Sequence, residues 1–225
     1  MRNWYTEEKV EFIEVDLLNK AHVNKLISFT ADMANKSNEP FSFIKDLVTS
    51  ATNQYSVIRM GKFILATFGD RVVGMAYGNY FGISMTIDIQ CIYVDEDYRN
   101  LGIGRQLIQE LTERLVEGVP ESFIIRGIFC RALLAYPKSV AIKFGIKQIE
   151  SKIDITYEEV DSVIDFKLVV YYLPFGGIGE PSRDTIRGYC CDIVMFDSDT
   201  APDKKQEICS AINFYFRLDE SELGL

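Results

Sequence analysis

Hydrophobic and polar positions change period several times along this chain, and each change marks an expected element. Residues 9–16 alternate roughly and predict a first strand, after which Asp16 can cap a helix running to about Asn35. Pro40 opens a second helical stretch, with Phe41, Ile44, Leu47 and Val48 on one face. Two apolar runs, 62–68 and 71–79, flank Gly69-Asp70, a short hairpin signal. Gly74 interrupts the second run, where a bulge or a close backbone approach is expected. Residues 83–94 give the longest strand signal, followed by the acidic turn Asp95-Glu96-Asp97-Tyr98. From Gly104 the period becomes helical, with Leu107, Ile108, Leu111 and Leu115 on one face, until Gly118 and Pro120 end it.

Residues 123–130 read as a buried strand, then a helical stretch reaches Gly145, and strands near 151–157 and 165–173 follow. The predicted order is β-α-α-β-β-β-α-β-α-β-β, without internal repeats. Two βα units inside a mostly antiparallel series give an α/β or α+β class with a mixed sheet. The run from Pro174 to Pro181 breaks the pattern. Beyond it a strand at 189–196 and a helix near 202–218 are expected, the helix starting at Pro202 with Ile208, Ala211, Ile212 and Tyr215 on one face. The chain therefore divides into a domain at 1–173 and a strand–helix extension at 174–225, which packs on the core or forms an oligomer contact such as a homodimer.

Composition narrows the function classes. The chain has 225 residues, 48% of them hydrophobic, with 15 Phe and 12 Tyr, enough to bury a sizeable core. A net charge of −9 disfavours nucleic acid, whose phosphates it repels, and suits cationic substrates. No secretory hydrophobic region opens the sequence, and no apolar run approaches the roughly 18–20 residues of a membrane span. A soluble, cytoplasmic protein with no membrane partner is expected. The five cysteines form no Cys-x-x-Cys pair and only one histidine exists, so reduced thiols rather than a metal site are expected.

The sharpest chemistry lies between Ile92 and Glu110. A strand runs into a short turn, then Arg99-Asn100-Leu101-Gly102-Ile103-Gly104, then an amphipathic helix. The first turn of a helix has backbone N–H groups without internal partners, and the macrodipole adds positive potential there. Gly102 and Gly104 lack Cβ atoms, so a bulky anion can approach the backbone. Such a loop can cradle a phosphate or pyrophosphate, with Arg99 and Arg105 adding charge-assisted contacts. It lacks the Gly-Lys-Ser/Thr of a P-loop, and Leu107 stands where a dinucleotide fingerprint needs its third glycine. On the bare loop, a helix start with no ligand is as good a reading.

Residues Ile92 to Leu107 resemble motif A of the GNAT superfamily of N-acetyltransferases: a hydrophobic strand, a short acidic turn with Tyr98-Arg99, Gly-x-Gly and a helix. The hairpin around Gly69-Asp70, with Gly74 in its second strand, resembles the segment that precedes the motif. Lys143-Phe144-Gly145-Ile146 resembles, more loosely, the ending of the following helix. The resemblance covers about 8–173 in order and spacing, and 174–225 has no counterpart in the family core. It implies a GNAT-like acyl-CoA N-acyltransferase fold that transfers an acetyl group directly from acetyl-CoA to a primary amine of a small molecule or protein. It also implies roles: Ile92, Tyr93 and Val94 would line the pantetheine arm, with the backbone of Ile92 and Val94 pairing to it. The amides from Arg99 through Asn100, Leu101, Gly102, Ile103 and Gly104 to Arg105 would hold the pyrophosphate. The strand before the loop and the one at 123–130 would splay to admit the thioester.

Acetyl transfer needs a neutral amine, and deprotonating a lysine-like amine at pH 7 costs roughly 4–5 kcal/mol. A general base or a water chain supplies part of that, and oriented binding much of the rest. Where the family often keeps a glutamate this chain has Gln90, which cannot act as a base. Asp88, two residues earlier on the same face of the strand, is the candidate base, or else a polar residue that binds substrate. Where the family often keeps an acidic tyrosine stands Ala141, leaving Tyr136 as candidate acid, though a tyrosine on a half-buried helix face is commoner. These departures keep open a non-catalytic acyl-CoA-binding module, and an interaction protein working through its tail is a third class. His22 reads as a surface or packing residue, Cys91 as a buried thiol, Gly176-Gly177-Ile178-Gly179 as a flexible connector, and Phe214-Tyr215-Phe216 as core or interface.

Overall fold

The computed structural model describes residues 9–36, 61–130, 147–159, 162–196 and 200–216. Seven strands form one sheet: β1 (Val10–Glu14), β2 (Gly61–Phe68), β3 (Arg71–Phe81), β4 (Thr86–Val94), β5 (Gly127–Cys130), β6 (Lys147–Glu159) and β7 (Ser162–Tyr172). Their order across the sheet is β1-β2-β3-β4-β5-β7-β6. The pairs β1–β2, β2–β3, β5–β7 and β6–β7 are antiparallel. β4 and β5 are neighbours joined through a helix, the crossover that a parallel pair needs, so the sheet is mixed, as the alternation of elements predicts. The described helices are α1 (Lys20–Lys36), α2 (Ile103–Gly118), α3 (Arg183–Phe196) and α4 (Pro202–Tyr215). The expected helices at Pro40 and before Gly145 lie outside the described residues.

Contacts divide the chain into two compact units, residues 1–79 with 89–120 and residues 80–88 with 121–225. In the first, the β2–β3 hairpin forms where Gly69-Asp70 places it, with Gly69 at φ 57°. Its register pairs Ala66 with Gly74 but Thr67 with Val72, so a bulge sits beside the glycine. A Cβ at Gly74 would come within 3.0 Å of the Tyr93 carbonyl oxygen and 3.1 Å of Leu107 Cδ1. The glycine is thus a close-approach point between β3, β4 and α2. Leu26, Phe29 and Met33 of α1 close the opposite face over Leu65, Met75, Cys91 and Tyr93. Alternation along the strands sends Ile64, Ala66 and Gly74 to the α2 side.

The second unit has its own core. Phe81, Phe129 and Tyr172 meet Ile186, Tyr189, Cys190 and Val194 of α3 and Ala211, Ile212 and Phe216 around α4. Here several expectations are corrected. Residues 189–196 are helical, part of α3, and not a strand. The run Tyr-Cys-Cys-Asp-Ile-Val-Met-Phe is apolar on nearly every position, so its period is mute when it is read alone. Begun at Ser182, whose Oγ accepts from the Thr185 amide at 3.2 Å, the buried set Thr185, Ile186, Tyr189, Cys190 and Val194 has helical spacing. Accordingly a helix does follow the Gly176–Gly179 segment. In that segment Gly176 (φ 55°) and Gly177 (φ 85°) make a tight turn closed by the Ile178 amide on the Phe175 carbonyl at 2.8 Å.

Other boundaries move for local reasons. Asn19, and not Asp16, caps α1: its Oδ1 accepts from the Ala21 and His22 amides at 2.9 and 3.4 Å, while Asp16 Oδ1 serves the Leu18 amide. The strand expected from 83 begins at Thr86, because Met85 takes a left-handed φ of 57°. The strand expected from 123 begins at Gly127. Phe123 and Ile124 are exposed, and the Ile124 carbonyl accepts from the Tyr80 hydroxyl at 3.1 Å. The strand expected at 151–157 extends over 147–159, and α4 ends at Tyr215, short of 218. No described helix is long and apolar enough to cross a membrane.

Candidate acyl-CoA site

β4 delivers the chain into the glycine loop through a single 3-10 turn, Glu96–Tyr98, whose cap is Asp95. Asp95 is buried. Its backbone amide donates to the Val73 carbonyl at 2.9 Å, its Oδ1 accepts from the Asp97 amide at 3.3 Å, and its Oδ2 accepts from Arg71 Nη2 at 2.9 Å. Arg71 also lies over the Tyr98 ring, 5.3 Å from its centroid. Beside Asp95 the Arg71 guanidinium is held above its ordinary pKa. This pair anchors the entrance to the loop, and neither partner was singled out from the sequence; their separation of 24 residues hides it.

The loop turns through two left-handed residues before the helix begins at Ile103. Asn100 (φ 65°) and Gly102 (φ 83°) are both left-handed, and Gly102 is the N-cap of α2 without any side-chain cap. No acidic residue stands in the first turn of α2, so its amides and dipole are not offset by local carboxylates. A Cβ at Gly102 would meet nothing within 4 Å; the glycine serves the conformation and leaves the loop face open. Leu101 is exposed, while Ile103 and Leu107 are buried and pin the helix start to the core. The residues present fit a diphosphate group: an uncapped helix N-terminus, a glycine cradle and nearby cations.

The arginines and β4 side chains are more constrained than the sequence suggests. Arg99 folds back, with Nε donating to the Val94 carbonyl at 3.0 Å, Nη1 3.3 Å from Glu96, and its guanidinium 5.6 Å from the Tyr93 ring centroid. Arg105 is exposed on the first turn of α2. The Tyr93 ring is buried edge-on against Phe29 at 6.0 Å, which leaves its backbone as the part on offer to a ligand. Ile92 and Val94 are half-buried on the alternate face. On the α1 side, a cavity of about 330 Å³ lined by Ser28, Asp32, Asp70, Arg71, Tyr93 and Asp95 lies across the strand from these two.

Upstream on β4, Gln90 Nε2 donates to Asn79 Oδ1 at 2.7 Å, an amide pair that cannot act as a base. Asp88 is fully buried, and its Oδ1 accepts from the Tyr189 hydroxyl at 2.8 Å. Tyr189 comes from α3, a segment read as a strand outside the site, so this partnership was invisible. Nearby, Asp192 Oδ2 accepts from the Ser84 amide at 2.9 Å, while Oδ1 is buried with no hydrogen-bond partner among the described residues. Burial holds the Asp192 carboxyl above the usual carboxylate range, opposed by its bonds to Ser84 and aided by the charge of Asp88. Tyr136 and Ala141 lie outside the described residues. Among the described residues no cluster of His, Cys, Asp or Glu could hold a metal.

Residues 59–142 match the family model of the acetyltransferase (GNAT) domain. A protein from Desulfovibrio desulfuricans described as a GNAT-family acetyltransferase is 18% identical in its solved structure, with a TM-score of 0.53 over 73% of this chain and 98% of its own. A GNAT-family acetyltransferase from Staphylococcus aureus follows at 19% identity and a TM-score of 0.46, over 73% and 98%. A protein described as a streptothricin acetyltransferase from Bacillus anthracis, solved with acetyl coenzyme A, gives 22% and 0.39 over 55% and 68%. No curated protein matches the sequence. The class is therefore defined by the fold: the mixed sheet with flanking helices is the GNAT acyl-CoA N-acyltransferase fold, and the stretch 59–142 is similar to the acetyltransferase domain of that family.

Proposed function

We propose that this chain is an acetyl-CoA-dependent N-acetyltransferase acting on a primary amine of a small molecule or protein. The observation that carries the reading is the loop at 99–105: a left-handed Gly102 opening an uncapped, acid-free helix N-terminus at the end of β4. In this reading the amides from Arg99 to Arg105 hold the pyrophosphate of the coenzyme, and the backbone of Ile92 and Val94 pairs with its pantetheine arm. The thioester supplies the acetyl group. The amine nitrogen bonds to the carbonyl carbon, the C–S bond breaks, and the amine proton leaves toward a base. Asp88 is our choice for the final acceptor. Its side chain is buried, so the proton reaches it through an intervening hydroxyl or water. Tyr136 is retained as the group that reprotonates the thiolate. The acidic chain favours a cationic acceptor.

The locked Gln90–Asn79 amide pair favours a second reading, a non-catalytic acyl-CoA-binding module. Titration calorimetry with acetyl-CoA, followed by thiol release across an amine panel, separates them. Saturable binding with thiol release supports the enzyme, and binding alone supports the module. No binding at hundreds of micromolar coenzyme overturns both. Gly102→Ala, which puts a side chain at φ 83° on the face an anion must approach, should weaken binding about tenfold, the equivalent of ~1–2 kcal/mol.

A further inference from the structure

We infer that Tyr189 is a positioning residue for Asp88, the proton acceptor of the proposed transfer. The inference rests on the reading of Asp88 as proton acceptor. Three contacts from two adjacent turns of α3 converge on the β3–β4 turn and the start of β4. A Cβ at Gly188 would lie 3.2 Å from Ser84 Cβ, so the helix backbone sits directly on the turn. Asp192 takes the Ser84 amide at 2.9 Å. Between them, the Tyr189 hydroxyl donates a hydrogen bond to Asp88 Oδ1 at 2.8 Å.

The phenol has little freedom to do anything else. Its ring is stacked on Phe129 of β5, with centroids 3.9 Å apart and planes 8° from parallel, and 2% of the residue is exposed. Phe81 closes a second side at 6.1 Å. Burying a tyrosine is favourable only if its hydroxyl finds a partner, and here the partner is a carboxylate. A donor fixed by two aromatic walls fixes the carboxylate rotamer in turn. Helix α3 thus contributes to this strand more than packing area.

The test compares Tyr189→Phe, Asp88→Asn and the double variant in steady-state acetyl transfer, on the full chain. Tyr189→Phe keeps the ring stack and removes only the donor. It should lower kcat about tenfold to a hundredfold, the usual range for a hydrogen bond to a charged group, with the KM for acetyl-CoA unchanged. In the Asp88→Asn background the same change should cost nothing further in kcat. A Tyr189→Phe enzyme with wild-type kcat overturns the inference, as does a full additive loss in the double variant. If Tyr189→Phe does not fold, 3-fluorotyrosine at position 189 replaces it. Its more acidic hydroxyl grips the carboxylate harder and should lower kcat at constant KM, and unchanged kcat overturns the inference. A wild-type chain that releases no thiol refutes the proposed function instead. A fully active Asp88→Asn refutes the choice of base and this inference with it, leaving coenzyme binding untouched.

Discussion

Replacing Gly74 by alanine tests whether the sheet and the helix after the glycine loop share one tight contact. The new Cβ would sit 3.0 Å from the Tyr93 carbonyl oxygen, 3.1 Å from Leu107 Cδ1 and 3.6 Å from Ala66 Cβ. Leu107 can yield by rotating, but the Tyr93 carbonyl is backbone inside β4 and cannot yield alone. Overpacking of this kind costs about 1–3 kcal/mol. For a chain of this size that is a fall in melting temperature of roughly 2–12 °C. The strain falls between the strand that delivers the loop and the helix that follows it, so on the proposed function acetyl-CoA affinity should weaken as well. Gly82→Ala is the comparison, because a Cβ there meets nothing within 4 Å, and its effect should stay within about 0.5 kcal/mol. Calorimetric melting of the three proteins, with coenzyme titration, reads both effects. Equal melting temperatures for Gly74→Ala and wild type would refute the close-approach argument, and so would equal losses for Gly74→Ala and Gly82→Ala.

Two further outcomes follow from the second unit. Asp192 binds its proton more tightly in the folded chain than its ordinary value of 3.8 implies, so the folded state holds more protons than the unfolded one above that pH. Stability from this group is therefore greatest at low pH and falls as pH rises from 3.8 through the folded value. Asp192→Asn keeps an acceptor for the Ser84 amide and removes the slope, so its urea midpoint relative to wild type should rise between pH 4 and pH 8; a constant difference would refute the assignment. Burial, with Cys209 alongside, pushes the Cys191 thiol up to about 12, so at pH 8 only about one part in 10⁴ is thiolate. Mass spectrometry of the folded chain should find Cys191 alkylated by iodoacetamide far more slowly than in the urea-unfolded chain, and equal rates would sink that reading.

The local pattern by itself determined the elements whose period is unambiguous and whose ends carry turn chemistry. The hairpin at Gly69-Asp70, the bulge beside Gly74, the glycine loop and the leucine face of α2 all rest on contacts within a few residues or on one strand's alternation. The same logic failed where a run is apolar throughout: 189–196 has no readable period until the Ser182 cap and the core of Phe81, Phe129 and Tyr172 select one face of a helix. Tertiary structure alone decided the long-range hydrogen bonds. Arg71 meets Asp95 across 24 positions, Gln90 meets Asn79 across 11, and Tyr189 meets Asp88 across 101. Hydrogen bonds of that span depend on the sheet order and on which helix face is buried, and neither is written in the periodicity of the segments they join. Asp88 was legible as a carboxylate in β4; that it is buried and accepts from a C-terminal tyrosine was decided only when the helix docked.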